Sequence, residues 1–289
     1  MERALREAPK VPVMTRASPT PVAGITRENF DSHWVDPFVP TPASTRAVLK
    51  PLVERNAIRD QIRQPLADAV LEHHSPRERV AARLTALGHD RTAAWIRQQL
   101  PRDDRTRKGN FGEVVSSEHL CQRYGYVMPV FKLRYRDNPE LPMRGEDVVA
   151  FKMTSSQIDA VVIGEAKTVR RFATQTVLDA HERLRTAYNP RPMTLSMLAE
   201  ILYGMEQTAL AEQVDIVSDR LAEGSFPREY WIFLINEVQP PAPFACLDTL
   251  PAVVSPLHCV SLPLADFNAF INSVFDSCRP PEAAADAGS

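Results

Sequence analysis

Two apolar runs, DVVAFKM (147–153) and IDAVVIGEAK (158–167), are separated only by the polar tetrapeptide TSSQ. Runs of that length, rich in Val and Ile and joined by so short a turn, predict a β-hairpin. In the second run, alternation places Asp159, Val161, Ile163, Glu165 and Lys167 on one face. Ile158, Ala160, Val162, Gly164 and Ala166 take the other. Both faces are largely apolar until the end, so this strand must be covered by other elements on both sides.

The strand then finishes on Glu165 and Lys167, on one face and roughly 7 Å apart by strand rise. A carboxylate and an ammonium at the end of a buried strand are costly unless paired or used. One reading is an ordinary strand-end salt bridge. The other begins with Asp147, which opens the preceding strand and, in an antiparallel hairpin, lies beside Glu165. Two facing carboxylates repel unless a divalent cation sits between them. Asp159 shares the face of Glu165, but about 20 Å of strand separates the two, too far for one metal. Asp159 is expected to be exposed near the hairpin turn.

Upstream, NFGEVVSSEHLCQRYG (110–125) predicts a helix that ends at Gly125. It carries Glu113, with Gly112 beside it to let the helix approach the sheet. Glu113 is either a third metal ligand or an exposed helix glutamate. The segment 45–104 reads as a helical N-terminal region, with Val53, Ile58, Ile62, Leu66 and Val70 as its stripe. Ser75-Pro76 starts a further helix and Gly88 stops it. Residues 101–110 read as a linker, and YVMPVFKLRYR (126–136) as a strand in which Pro129 marks an edge or bulge. Helices are expected over 173–188 and 193–222, strands over 228–238 and near 258–262, and a last helix over 264–277. Residues 1–44 and the tail 279–289 read as poorly ordered. The whole predicts an α/β (α+β) fold with a central mixed sheet flanked by helices, its main domain spanning 105–278.

The formal net charge of −2 supplies no global affinity for nucleic acid. No run approaches the roughly 18–20 apolar residues that span a bilayer, and no apolar secretory segment is evident, so a cytoplasmic protein is expected. Cys121, Cys246, Cys259 and Cys278 are widely spaced and read as reduced thiols. The histidines form no metal-binding pattern, and no phosphate-binding G-x-x-x-x-G-K-[ST] loop is present.

A helix glutamate, a strand, an aspartate opening the next strand and then E-A-K resembles the PD-(D/E)XK nuclease superfamily. More narrowly, KGNFGEVVSSEHL, RGEDVVAFKM and VVIGEAKT resemble the HamA family, the nuclease subunits of the Hachiman anti-phage defence system. The resemblance covers roughly residues 105–275, with clear motifs in 108–168. It departs from the superfamily pattern at Glu146, which stands where Pro is usual.

The resemblance implies a restriction-endonuclease-like core and Mg²⁺-dependent hydrolysis of DNA. Asp147, Glu165 and Glu113 are then the metal ligands and Lys167 the catalytic cation. Hard oxygen donors favour Mg²⁺ or Mn²⁺. It also implies a HamB-like helicase partner that restrains the nuclease until DNA is engaged. Lys108, Arg134, Arg144, Lys152, Arg170 and Arg171 are candidate DNA contacts, though each alone reads as a solvated charge. A stand-alone restriction- or repair-type nuclease, and a non-catalytic interaction subunit with a degenerate nuclease fold, remain as alternatives.

Overall fold

The computed structural model describes residues 24–38, 44–141, 145–187, 193–251 and 254–280. The apolar hairpin forms as expected: β3 (Val148–Thr154) pairs antiparallel with β4 (Gln157–Thr168). β4 pairs on its other side, parallel, with β5 (Arg228–Asn236), and β5 pairs with β6 (Leu257–Pro263). β6 then pairs with β2 (Val48–Glu54), which carries the short antiparallel β1 (Val35–Pro37). The result is a mixed six-stranded sheet in the order β1-β2-β6-β5-β4-β3.

Helices cover both faces, which is what two apolar strand faces require. On one side α1 (Phe30–Trp34), α2 (Arg59–His74), α4 (Asp104–Tyr124) and α8 (Phe267–Asp276) enclose a core that includes Val148, Val162, Phe233 and Val260. On the other, α5 (Thr174–Ala187), α6 (Met193–Gly204) and α7 (Thr208–Ala222) cover Val161, Ile163, Ile232 and Leu234. Between α2 and α4, α3 (Arg77–Gln99) breaks at Gly88, whose φ of 74° is left-handed. Arg79 and Arg83 both lie over the Trp95 ring from across that break, so the two halves fold back on each other.

Several expectations are corrected. Residues 48–54 are a strand, not part of a helical region: Val53 is 46% exposed, whereas Ile62, Leu66 and Val70 are fully buried on α2. Residues 104–110 are not a linker. Asp103 accepts the Thr106 N–H at 2.9 Å, and this N-cap starts α4 at Asp104. Residues 126–136 contribute one bridge, Val127 with Phe151, and then a 3₁₀ turn over Lys132–Tyr135. Pro129 has no N–H to continue the ladder.

Within the segment 1–44, residues 24–38 are built into the fold. Phe30, Trp34 and Val35 are buried, and Asp31 is paired with His119 and Arg123. Residues 1–23 and 39–43 lie outside the described residues, as does most of the 279–289 tail. Among the described residues, no helix is long and apolar enough to cross a membrane.

Candidate functional site

The hairpin register decides the site. Val148 stands opposite Gly164, so the next position outward sets Asp147 against Glu165. The Ala166 N–H donates to Asp147 Oδ2 at 2.9 Å, which pins the aspartate across the end of β4. The Glu165 side chain is 3% exposed, and its Oε1 accepts from Lys167 Nζ at 2.7 Å and from Arg183 Nη1 at 2.9 Å. Burial, and next the Asp147 carboxylate, raise the Glu165 carboxyl above the ordinary range despite both cations.

Glu113 arrives from the other face, on α4. Gly112 beside it lies so close to the end of β4 that a Cβ there would sit 2.0 Å from Thr168 Oγ1 and 3.5 Å from the Ala166 Cβ. The far half of α4 is anchored by Glu118, which accepts from Arg27 at 2.7 Å and pairs with His73 at 2.9 Å. Glu113 and Asp147 line one small cavity of about 10 Å³ together with Lys132, the scale of a single water. Burial pushes the Glu113 carboxyl up to about 7. Lys132, 3.9 Å away, pulls it back, and Asp147 and Glu165 push it higher. The expected alternative of an exposed helix glutamate is therefore excluded for Glu113, which has a side chain 13% exposed.

Glu146, next to Asp147, turns to α6. Its buried carboxylate accepts the Thr194 N–H at 3.2 Å and the Thr194 hydroxyl, and so caps the start of α6. Gly145 before it has a φ of 93°, and a Cβ there would meet Thr194 Oγ1 at 2.5 Å. Asp159 is exposed, as expected, beside the register shift at Lys152/Met153.

The candidate DNA-contacting cations are scattered. Lys108 is half-buried on α4, one turn before Gly112. Lys152 is exposed near the hairpin turn, about 17 Å of strand from Asp147. Arg170 is paired with Glu237 at 2.8 Å, and Arg171 is exposed beside Val238. Arg134 donates to the Glu72 carbonyl at 2.8 Å. Arg144 lies outside the described residues. Besides the expected Lys167, two cations approach the acidic centre that the sequence does not mark, Lys132 and Arg183. Lys132 lies in an irregular segment and Arg183 mid-helix, so neither carried a positional signal.

A divalent cation suits this donor set. The carboxylates of Asp147 and Glu165 face each other at the strand end, and both add to the burial that raises Glu113. Among the described residues, no three His, Cys, Asp or Glu side chains converge closely enough to hold a metal unaided. Glu113 is thus not brought together with Asp147 and Glu165 as the expected three-ligand set, and the facing pair Asp147 and Glu165 is what could hold a hard cation that keeps several waters.

These residues all fall inside a stretch with known relatives. The family model described as HamA matches residues 28–278. The chain belongs to the HamA family. It is also 28% identical over 176 residues to Hachiman protein HamA of Bacillus cereus, a match covering 61% of this chain and 62% of that protein. The chain thus spans less than two thirds of the length of that HamA relative. The acidic strand end, from Glu113 to Arg183, lies wholly within the span matched by the HamA model.

Proposed function

We propose that the chain is a Hachiman anti-phage defence protein and that it acts as a metal-dependent DNA nuclease with a PD-(D/E)XK core. Its HamA family membership supports the defence assignment. The single observation that carries the nuclease reading is the register that sets Asp147 against Glu165, with Lys167 on Glu165.

Asp147 and Glu165 would hold Mg²⁺ or Mn²⁺, with Glu113 completing the charge on the α4 side. The bound ion supplies polarisation of the phosphate and a more acidic water. The chain's own residues do the rest. The Ala166 N–H fixes the orientation of Asp147. Lys167, beside Glu165, orients the attacking water and offsets the charge gathering on the phosphate oxygens. The helices on both sides keep Glu165 dry, so its charge acts at short range in a low-dielectric setting.

The near-neutral charge of the chain favours a partner that brings DNA to it, and a HamB-like helicase in the cytoplasm fits that role. The test is Mg²⁺- or Mn²⁺-dependent cleavage of plasmid DNA, by the isolated chain and by the chain with its helicase. Cleavage should stop with chelator and in Glu165→Ala and Lys167→Ala proteins that still fold. Equal cleavage by both variants overturns the reading.

A further inference from the structure

We propose that Arg183 is a DNA-phosphate-binding residue that Glu165 holds in reserve until a divalent cation takes its place on that carboxylate. The inference rests on the nuclease reading and deepens it.

Arg183 reaches Glu165 from α5, whose backbone is fixed by the buried Val177, Ala180, His181 and Leu184. Its side chain is 58% exposed, while the carboxylate it touches is 3% exposed. The guanidinium therefore spans from solvent down to the acidic centre. One of its nitrogens, Nη1, donates to Glu165 Oε1 at 2.9 Å. That is its hydrogen bond among the described residues, and a guanidinium has five N–H groups. A permanent structural pairing with a carboxylate would favour the two-point fork that Arg offers, and this contact uses one point.

The oxygen it uses is already taken. Lys167 Nζ donates to the same Oε1 at 2.7 Å. Glu165 thus carries two cations on one oxygen, with Asp147 alongside. A divalent ion held by Glu165 and Asp147 would repel both cations. Lys167 is short of room, being on the same strand two residues on, with a side chain 20% exposed. Arg183 is the one with solvent around it and a long flexible stem. Once displaced, its planar fork would still hang from α5 on the solvent side of Glu165, free to meet a phosphate of the DNA strand. Arg matches phosphate oxygens two at a time.

Binding can be measured without cleavage. A short fluorescein-labelled DNA duplex is titrated in chelator by anisotropy at several salt concentrations. Wild type, Glu165→Gln, Arg183→Gln and the double variant are compared, each checked for an unchanged melting transition. Glu165→Gln should bind about tenfold more tightly than wild type because it releases the guanidinium. The double variant should lose most of that gain, and its slope of log Kd against log salt should fall by about one. Arg183→Lys in the Glu165→Gln background should bind at an intermediate level. Equal Kd and slope for Glu165→Gln with and without Arg183, or no binding by either at low salt, overturns the proposal. Cleavage by wild type with Mn²⁺ reports separately on the nuclease reading, so either can fail alone.

Discussion

Asp147 reaches across the hairpin to the Ala166 N–H, 2.9 Å away, so the carboxylate that opens β3 is held beside the one that ends β4. The bond makes Asp147 a part of the strand pairing as well as of the acidic centre. An Asp147→Asn protein keeps an oxygen for the Ala166 N–H but loses the charge. It should fold with a stability within about 1 kcal/mol of wild type. Its metal-dependent cleavage should fall by about two to three orders of magnitude, the scale of losing a charge aimed at the transition state. Parallel melting and cleavage measurements check both halves.

Glu113 predicts a pH effect on stability. Its carboxyl lies at about 7 in the folded chain against 4.5 for an ordinary glutamate. The folded state therefore binds more protons than the unfolded state between those values. Stability from this group is present in full below about 4.5 and is lost as pH rises towards 7, a change of about 3 kcal/mol. Glu113→Gln should remove that slope and raise the melting temperature at pH 8 in chelator. Thermal unfolding of both proteins across pH isolates Glu113 from the buried His73 and His74, which are common to both.

Gly112 predicts a packing clash. A methyl group there would lie 2.0 Å from Thr168 Oγ1, so Gly112→Ala must push α4 away from the end of β4. The cost should be about 1–3 kcal/mol, and it should displace Glu113 with it. Adding Thr168→Ala removes the clashing hydroxyl and should recover most of the stability. Denaturant unfolding of the two single variants and the pair measures the coupling.

Glu146 separates folding from chemistry. Its carboxylate caps α6 through Thr194, at the edge of the cavity that Asp147 and Glu113 line, and bonds to neither of them among the described residues. Glu146→Ala should lower stability by about 1–2 kcal/mol, as loss of a cap does, while cleavage per folded molecule stays within a few-fold of wild type. Cleavage assayed well below the melting transition distinguishes this from Lys167→Ala, which should fold and not cleave.

The hairpin and the meeting of Asp147, Glu165 and Lys167 at its end were legible because β-structure has a period of two. Parity alone placed Glu165 with Lys167, and antiparallel pairing alone placed Asp147 beside Glu165. The covered faces on both sides of β4 followed from its unbroken apolar run. What failed depended on distant partners. β2 pairs in parallel with β6, some two hundred residues on, and Pro51 within it disguises a strand. Lys132 becomes a neighbour of Glu113 through a 3₁₀ turn, where no periodicity applies. Arg183 meets Glu165 through the docking of α5, and nothing in its local sequence marks it out. The expected N-terminal helical stripe was correct from Ile58 onward and wrong at Val53, because the chain turns there from strand to helix.

In the proposed function Asp147 and Glu165 hold a divalent cation. The most direct measurement is anomalous diffraction from crystals of the protein saturated with Mn²⁺. An anomalous peak is expected between the two carboxylates, with Arg183 turned away from Glu165. No peak at saturating Mn²⁺, with Lys167 and Arg183 still on Glu165 Oε1, would contradict it.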